Sequence, residues 1–157
     1  MTARFLLALA LAAAPAVAQA PKSFQATVLM TQDPAAFRSA WLGPQPPRLP
    51  VTTKAPRGRP VYAMVIFSGC RPASDGRCNV SGRFSVLRPD GRPYQAPASA
   101  KLWSGRPAGP GRMLLANGSV GLNLAPSAAL GTYKVRALVT DNVAGTSISV
   151  EQAVTAQ

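Results

Sequence analysis

The sequence predicts an all-β fold: one antiparallel β-sandwich of about seven strands, with one short N-terminal helix and a Pro-rich connection. Three observations favour this class. Short β-favouring runs recur with turn residues about every eight to twelve positions. Only one stretch carries helix signals. Proline and glycine contribute 16 and 13 of the 157 residues, which is more than a helical bundle usually contains.

The first eighteen residues have the composition of a cleavable signal peptide. Arg4 is a basic start, an apolar run follows over residues 5–14, and Ala16 and Ala18 stand where signal peptidase requires small residues. Cleavage after Ala20 would put a proline next to the scissile bond, so we expect the mature chain to begin after residue 18. The run is too short to span a bilayer of about 30 Å, and no lipoprotein cysteine follows it. We therefore expect an exported protein, periplasmic or secreted, without a transmembrane segment in the mature chain.

Residues 19–59 are predicted to hold a strand, a short helix and the Pro-rich connection, in one domain with the rest of the mature chain. Asp33 and Pro34 are typical of a helix N-cap and first turn. Phe37 and Trp41 fall on one face of that helix and would pin it to the domain. Six prolines after the helix, as far as residue 60, exclude regular structure there.

Residues 60–157 are predicted to form the body of the sandwich. The run at 61–68 (VYAMVIFS) is apolar at nearly every position, as in a central buried strand. A short edge strand is expected at 100–104. The predicted core consists of Val65, Phe67, Phe84, Val86, Val135, Val139, Ile148 and Val150.

Two hairpins are predicted in this body. Asn117-Gly118 is the commonest two-residue hairpin pair, so we expect it to reverse the chain between two short strands. Residues 133–140 and 147–155 alternate between apolar and polar positions on either side of a turn, which is the clearest hairpin signal in the chain.

Cys70 and Cys78 are the only cysteines and enclose a turn-forming Asp75-Gly76. In an oxidising compartment this pattern is typical of a disulfide, and closing the loop removes about 2.5 kcal/mol of unfolded-state entropy. We expect it to join the end of the strand at 61–68 to the start of the next. A redox-active pair normally has C-x-x-C spacing, and a metal site would need further ligands.

The chain contains no histidine, which excludes Ser-His and Cys-His nucleophilic machinery. Its five carboxylates have structural explanations: a helix cap at Asp33, turns at Asp75, Asp90 and Asp141, and a solvent-facing strand position at Glu151. Nothing in their spacing supports a glycosidase pair. The sequence therefore predicts a protein that is not an enzyme and holds no cofactor or metal, with an unrecognised hydrolase as the most distant alternative.

The charge is strongly positive: 17 Lys and Arg against 5 Asp and Glu, a net +12. The excess lies between Arg38 and Arg112. A field of this size attracts polyanions and is screened by salt. For an exported protein these are lipopolysaccharide, anionic lipid or acidic glycan, and no nucleic-acid partner is expected. The alternative is a coding preference for arginine, because the arginines are scattered singly along the chain.

A candidate binding patch combines aromatic and basic side chains in the second half of the chain. Trp103 could equally be a core residue. The predicted patch consists of Arg88, Arg92, Tyr94, Trp103 and Arg106.

Four segments resemble small uncharacterised exported bacterial proteins of the immunoglobulin-like kind: GRPVYAMVIFSGC, GRCNVSGRFSVLRPDGRPY, KLWSG and GLNLAPSAALGTYKVRALVTDNVAGTSISVEQAVT. The last of them, with its Gly-x-Tyr strand and Asp-Asn-x-x-Gly turn, is also similar to β-sandwich modules of macroglobulin-like and other bacterial surface proteins. The resemblance covers about residues 58–155, and its motifs are turns and strand ends. It implies an immunoglobulin-like sandwich in the periplasm and supplies no catalytic residues.

Two functions are therefore open. The first is a non-catalytic periplasmic interaction module, an accessory or chaperone-like protein that pairs with another envelope protein through an exposed edge strand. The C-terminal strand ending at Gln157 is a candidate for that edge. The second is a cationic binder of envelope polyanions, which requires the arginines to converge on one face.

Overall fold

The computed structural model describes residues 23–157, so the predicted signal peptide, 1–18, lies outside the described residues. Within these described residues, one helix and eight strands follow one another. They are β1 (Gln25–Thr31), α1 (Pro34–Leu42), β2 (Lys54–Ala55), β3 (Pro60–Ser68), β4 (Cys78–Leu87), β5 (Ala98–Gly105), β6 (Leu114–Asn123), β7 (Gly131–Asp141) and β8 (Thr146–Ala156).

The strands form two sheets that pack face to face. One has three strands in the order β1-β3-β6, and the other has five in the order β2-β8-β7-β4-β5. All neighbours are antiparallel except β2 and β8, which run parallel. The prediction that the prolines exclude regular structure as far as residue 60 is wrong, because β2 fits between two of them and β3 begins at Pro60, a position in a strand where proline is tolerated. The prediction of an all-β sandwich with one short helix is confirmed. No helix within residues 23–157 is long and apolar enough to cross a membrane.

The core between the sheets contains the residues that the alternation pattern selected. Six of the eight predicted core residues are buried, and Ile148 and Val150 on β8 are half-buried against the same core. Phe24 and Ala55, from the predicted N-terminal part, belong to this core as well. The N-terminal part and the sandwich body therefore share one hydrophobic core.

The three-stranded sheet is buried on both faces, which explains why β3 is apolar at almost every position. Its outer face carries Met64 and Ile66, and α1 packs on them through Phe37. The helix begins as predicted: Asp33 is the N-cap, its carboxylate accepts a hydrogen bond from Ala36 N at 2.8 Å, and proline occupies the first turn.

The hairpin predicted at Asn117-Gly118 is wrong. These residues lie inside one continuous strand, β6, which pairs with β3 on both sides of them. The register shifts just after Met64, where β6 has more residues than the facing part of β3. An Asn-Gly pair marks a departure from regular pairing, and here the chain bulges instead of reversing.

A side chain of α1 satisfies the backbone at this bulge. The guanidinium of Arg38 donates to Ala116 O at 3.2 Å and to Asn117 O at 2.6 Å. The bulge also brings β6 close to β5, since a Cβ on Gly118 would lie 2.9 Å from Lys101 O. The bulge in β6 therefore contacts both α1, through Arg38, and the edge strand β5 of the other sheet.

The C-terminal hairpin and the disulfide are both confirmed. β7 and β8 pair along their whole lengths, with Tyr133 and Val135 buried and Lys134 and Arg136 exposed. The Cys70–Cys78 bridge joins the loop after β3 to the first residue of β4.

Candidate binding surfaces

The carboxylates of the described chain all have structural partners. Asp33 caps α1, while Asp75 and Asp90 each accept a hydrogen bond from a backbone N–H of their own turn. Glu151 forms ion pairs with two basic side chains of β7. Within residues 23–157, no three side chains of His, Cys, Asp or Glu come together in a way that could hold a metal ion.

Asp141 is a buried carboxylate with a structural role. It is 1 % exposed, and its oxygens accept hydrogen bonds from the backbone N–H groups of Arg71, Val143 and Ala144 at 2.7, 3.1 and 3.2 Å. A buried charge needs such donors. Asp141 therefore ties the turn between β7 and β8 to the disulfide loop, and its hydrogen-bonding capacity is used by the fold.

The structure separates the predicted patch into two parts. Arg88, Arg92 and Tyr94 follow the end of β4, whereas Trp103 pairs with Val80 near its start. At about 3.4 Å per residue, roughly 20 Å of β4 lies between the two parts. Sequence proximity did not translate into spatial proximity, because β5 runs back along β4 and carries Trp103 and Arg106 to the opposite end.

Tyr94 is held by the fold at one end of the sandwich. Its ring packs edge-on against Tyr133 at a centroid distance of 5.4 Å, and the Arg88 guanidinium lies 5.5 Å from its centroid. The Tyr94 hydroxyl accepts from Ala125 N at 2.9 Å and approaches Asn123 O at 3.3 Å. An open surface cavity of about 480 Å³ adjoins these residues. The hydroxyl thus serves the loop after β6, and Arg88 is the exposed part of the group.

Arg92 is paired within its own turn. Its guanidinium binds the Asp90 carboxylate at 2.8 Å. This hydrogen bond lowers the pKa of Asp90 and raises the pKa of Arg92. The pair neutralises itself, so Arg92 adds little to a cationic surface.

Trp103 fits the alternative in which it belongs to the core and not to an exposed patch. The side chain is half-buried and packs edge-on against the core residue Phe67 at 6.2 Å. Its indole N–H donates to Arg106 O at 3.1 Å. Trp103 therefore closes the margin of the core at the disulfide end and anchors the loop that follows β5.

An open cleft lies at the disulfide end, with a volume of about 1400 Å³. The loops on either side contribute Arg71 and Arg112, and Phe24 and Met113 are among the apolar residues that line it. The Asp141 carboxylate also borders this cleft, already occupied by its three backbone donors.

The outer edge of β8 is unpaired over most of its length. Among the described residues, only Thr155 and Ala156 pair with a further strand, the two-residue β2. Residues 146–153 hydrogen-bond to β7 on one side alone. Their inward side chains include Ile148 and Val150, which are half-buried at the margin of the core. This edge is long and regular, and its inner side carries the apolar Ile148 and Val150 beside the polar Gln152.

The Pro-rich connection covers the end of this edge. Thr52 N donates to Met30 O at the end of β1, and Thr155 N of β8 donates to Thr53 O, both at 2.8 Å. The same connection binds the last residue, since Gln157 N donates to Ala55 O at 3.1 Å. The connection covers the edge only at this end. Over residues 146–153 no described strand pairs with the outer edge, although β1 of the other sheet lies beside β8.

The opposite edge of the same sheet is different. β5 carries Lys101 in its middle, and its pairing with β4 is interrupted by a register shift between Val80 and Ser81. A lysine and a bulge are two devices by which proteins protect an edge strand from pairing. The edge of β8 has neither a bulge nor a proline nor a lysine. The two edges of one sheet therefore differ in their capacity to accept another strand.

The outer face of the five-stranded sheet is bare and basic. Within residues 23–157 neither α1 nor a loop cluster covers it, and its side chains alternate with the buried ones of the core. Only two arginines, Arg83 and Arg136, lie on it, because the other arginines of the described chain lie in the helix, the connection and the loops. The arginines as a group therefore do not converge on one face, and any anion site here depends on lysines as well. The charged residues of this face are Lys54, Arg83, Lys101, Lys134, Arg136 and Glu151.

Glu151 is the single acid of that face among the described residues, and it is engaged by its neighbours. Arg136 Nε binds one carboxylate oxygen at 2.6 Å, and Lys134 Nζ binds the other at 3.3 Å. The hydrogen bond from Arg136, with a smaller contribution from Lys134, holds the pKa of Glu151 below its ordinary value. Arg83 and Lys101 have no such acidic partner within residues 23–157.

No protein-family model matches the sequence, and no curated protein matches it. The chain is similar to the solved structure of a family 123 glycoside hydrolase from Clostridium perfringens, with a TM-score of 0.50 and 9 % identity, over 87 % of this chain and 27 % of that one. It is also similar to the CARDB domain of a Pyrococcus furiosus protein in complex with di-metal ions, with a TM-score of 0.43 and 9 % identity, over 86 % and 88 % of the two chains. The similarity to the hydrolase chain describes the fold alone, and this chain spans about a quarter of that enzyme's length.

Proposed function

We propose that this protein is a non-catalytic interaction module of the periplasm that binds an extended segment of another envelope protein along β8. The observation that carries the proposal is the unpaired outer edge of residues 146–153. Such an edge presents backbone N–H and C=O groups that a partner strand can pair with. The binding would extend the five-stranded sheet by one strand.

The inner side of this edge supports the same function. Ile148 and Val150 pack against the core but remain half-buried. Alternate side chains of an added strand would lie beside them and complete their burial. Main-chain hydrogen bonds would supply affinity, and these two side chains would select apolar residues in the partner.

The protected edge of β5 argues for one binding edge rather than two. Lys101 and the register shift disturb regular pairing there, whereas β8 pairs with β7 without interruption over eleven residues. An unprotected edge in a protein exposes it to aggregation. We infer that β8 is left open because it has a partner.

The periplasmic location rests on two features. Residues 1–18 have a signal-peptide composition, and the two cysteines are joined in a disulfide. Disulfides of this kind persist in oxidising compartments. Both features support export.

We also assign the sandwich to the immunoglobulin-like class. The orders β1-β3-β6 and β8-β7-β4-β5 correspond to strands A-B-E and G-F-C-C′ of that fold. Tyr133, near the start of β7, donates its hydroxyl to Ala129 O at 3.0 Å. This is the arrangement of the tyrosine corner, in which a tyrosine of strand F bonds to backbone just upstream.

The proposal is tested by placing a charge on the inner side of either edge. Val150 of β8 and Ala98 of β5 lie in one row across the sheet, joined through Ala137 and Phe84, and both are half-buried. We compare Val150→Lys with Ala98→Lys after circular dichroism has shown that both fold. Each immobilised protein is incubated with envelope extract and washed at high salt.

The expected result is one defined protein retained by the wild type and by Ala98→Lys, and lost with Val150→Lys. Amide hydrogen exchange of the complex should then show protection of residues 146–153. Equal retention by both variants would assign binding to another surface. If no protein survives the high-salt wash, the proposed function is wrong.

A further inference from the structure

The outer face of the five-stranded sheet carries a regular line of positive charge. Lys101 lies opposite Ser81, and Arg83 is two residues along β4 from that serine. Arg83 lies opposite Leu138, and Arg136 is two residues along β7 from that leucine. Diagonal neighbours of this kind are about 7–8 Å apart. Lys101, Arg83 and Arg136 therefore form a diagonal across three strands.

The line continues toward the opposite corner of the sheet. Lys134 is two residues from Arg136 on β7, and Lys54 lies opposite Thr155 on the far side of β8. All five basic residues are exposed. The cationic line, defined as Lys101, Arg83, Arg136, Lys134 and Lys54, thus runs from the β5 edge to the β2 edge with one acid, Glu151, beside it.

Hydroxyl groups accompany this line. Ser99 lies opposite Arg83 on β5, Ser85 lies opposite Arg136 on β4, and Ser149 occupies the β8 end of the Arg83 row. These hydroxyls can donate and accept hydrogen bonds in the rows of Arg83 and Arg136. Leu138 is the one large apolar side chain exposed on this face among the described residues.

These observations decide between two kinds of anionic partner. Binding to a membrane surface normally combines cations with apolar side chains that insert between lipids, and this face offers only Leu138. A linear polysaccharide with repeated carboxylates offers charges at regular spacing and hydroxyls between them. It matches a face on which hydroxyls lie beside two of the cations, Arg83 and Arg136.

We propose that the outer face of the five-stranded sheet binds a linear acidic polysaccharide along the cationic line. The site is distinct from the β8 edge, since it uses outward side chains and leaves the backbone pairing untouched. It goes beyond the proposed function, because a protein partner on the edge and a glycan on the face could be held together.

Polygalacturonate is a suitable probe, with neutral dextran as the uncharged control. The purified protein is titrated with each polymer by calorimetry at several salt concentrations. The double variant Arg83→Gln, Lys101→Gln removes two charges from the cationic line. The double variant Arg71→Gln, Arg112→Gln removes the same charge from the disulfide end and is the matched control.

We expect polygalacturonate to bind and dextran not to bind. The sheet-face double variant should bind about tenfold more weakly, and its slope of log affinity against log salt should fall by about one for each cation removed. The control double variant should stay within about twofold of the wild type. Glu151→Gln, which removes the single acid beside the line, should bind more tightly than the wild type.

Three results would overturn the proposal. Equal losses for the two double variants would mean that only net charge matters. Binding to phosphatidylglycerol vesicles that is as tight, and as sensitive to Arg83 and Lys101, would assign the face to a membrane. Absence of polygalacturonate binding at low salt would exclude the site. The edge variant Val150→Lys keeps the line intact and should bind polygalacturonate normally, so failure of the two proposals can be told apart.

Discussion

The outer face of one sheet is covered by the helix, and the outer face of the other sheet is exposed. On the three-stranded sheet, α1 covers Met64 and Ile66 through Phe37, and the face becomes a second small core. On the five-stranded sheet the corresponding face is bare, with Arg83 and Leu138 open to solvent. The difference is encoded in each strand, since a strand covered on both faces loses its polar alternation.

This comparison separates stability from binding. Side chains on the covered face hold α1 against the sheet, while those on the exposed face are available to bind a ligand. Substitutions at matched positions on the two faces should therefore have very different effects on unfolding. The following predictions run from the largest expected effect to the smallest.

Truncating the central side chain of the covered face should be the most damaging change. Phe37 is fully buried, so Phe37→Ala should lower the free energy of unfolding by about 3–5 kcal/mol. Leu138→Ala on the bare face should change it by less than about 0.5 kcal/mol, because Leu138 is 44 % exposed. Urea unfolding measures both, and a loss for Phe37→Ala as small as that for Leu138→Ala would mean that packing of the helix contributes little to stability.

Two arginines give a second matched pair. Arg38→Met removes the hydrogen bonds to Ala116 O and Asn117 O and leaves the bulge carbonyls without these donors. A loss of about 1.5–2 kcal/mol is expected. Arg83→Met removes a guanidinium for which no ion pair exists among the described residues, and should stay within about 0.5 kcal/mol. Equal losses would show that removing a positive charge, and not the hydrogen bonds at the bulge, determines the change in stability.

Removing the N-cap should destabilise α1 locally and leave the five-stranded sheet unchanged. Asp33→Ala deletes the acceptor for Ala36 N and should cost about 1 kcal/mol. Asp33→Asn keeps an acceptor and should remain close to the wild type. Hydrogen exchange should rise in α1 and stay constant in the β7–β8 hairpin. A uniform rise across both would contradict a local role for the cap.

The smallest effect concerns pH and the bare face. The pKa of Glu151 is below its ordinary value of 4.5 because of Arg136 and Lys134, so its pairs stabilise the fold above that value and are lost as pH falls through the lowered pKa. The stability difference between wild type and Glu151→Gln should be constant at neutral pH and shrink below pH 4.5. Asp90 also has a lowered pKa, but it is present in both proteins and cancels. A difference that persists at the lowest pH would refute the assignment.

Much of the fold could be predicted from local patterns. The alternation along β7 separates buried Val135 from exposed Arg136, and the cap residues Asp33 and Pro34 define the start of α1. The cysteine spacing predicts the disulfide that links the loop after β3 to the start of β4. These features depend on residues close in sequence, which is why the sequence suffices.

The candidate surfaces could not be found in the same way. The predicted patch joined Tyr94 to Trp103, which β4 and β5 carry to opposite ends of the sheet. The Asn117-Gly118 signal did not distinguish a bulge from a reversal, because the pairing with β3 decides it. The open edge of β8 depends on strand order. The cationic line depends on cross-strand register, and no local pattern in the chain contains either.

The parallel pairing of β2 with β8 has a consequence for how the chain folds. Lys54 pairs with Thr155, so β2 cannot form its pairing until β8, the last strand, is available. Pairings between such distant segments form slowly, since a long loop must close first. When the chain emerges N-terminus first, one edge of β7 has no partner strand until β8 has emerged. During that interval the exposed edge is β7 itself, and the nascent sandwich is most prone to aggregate before its final strand has emerged.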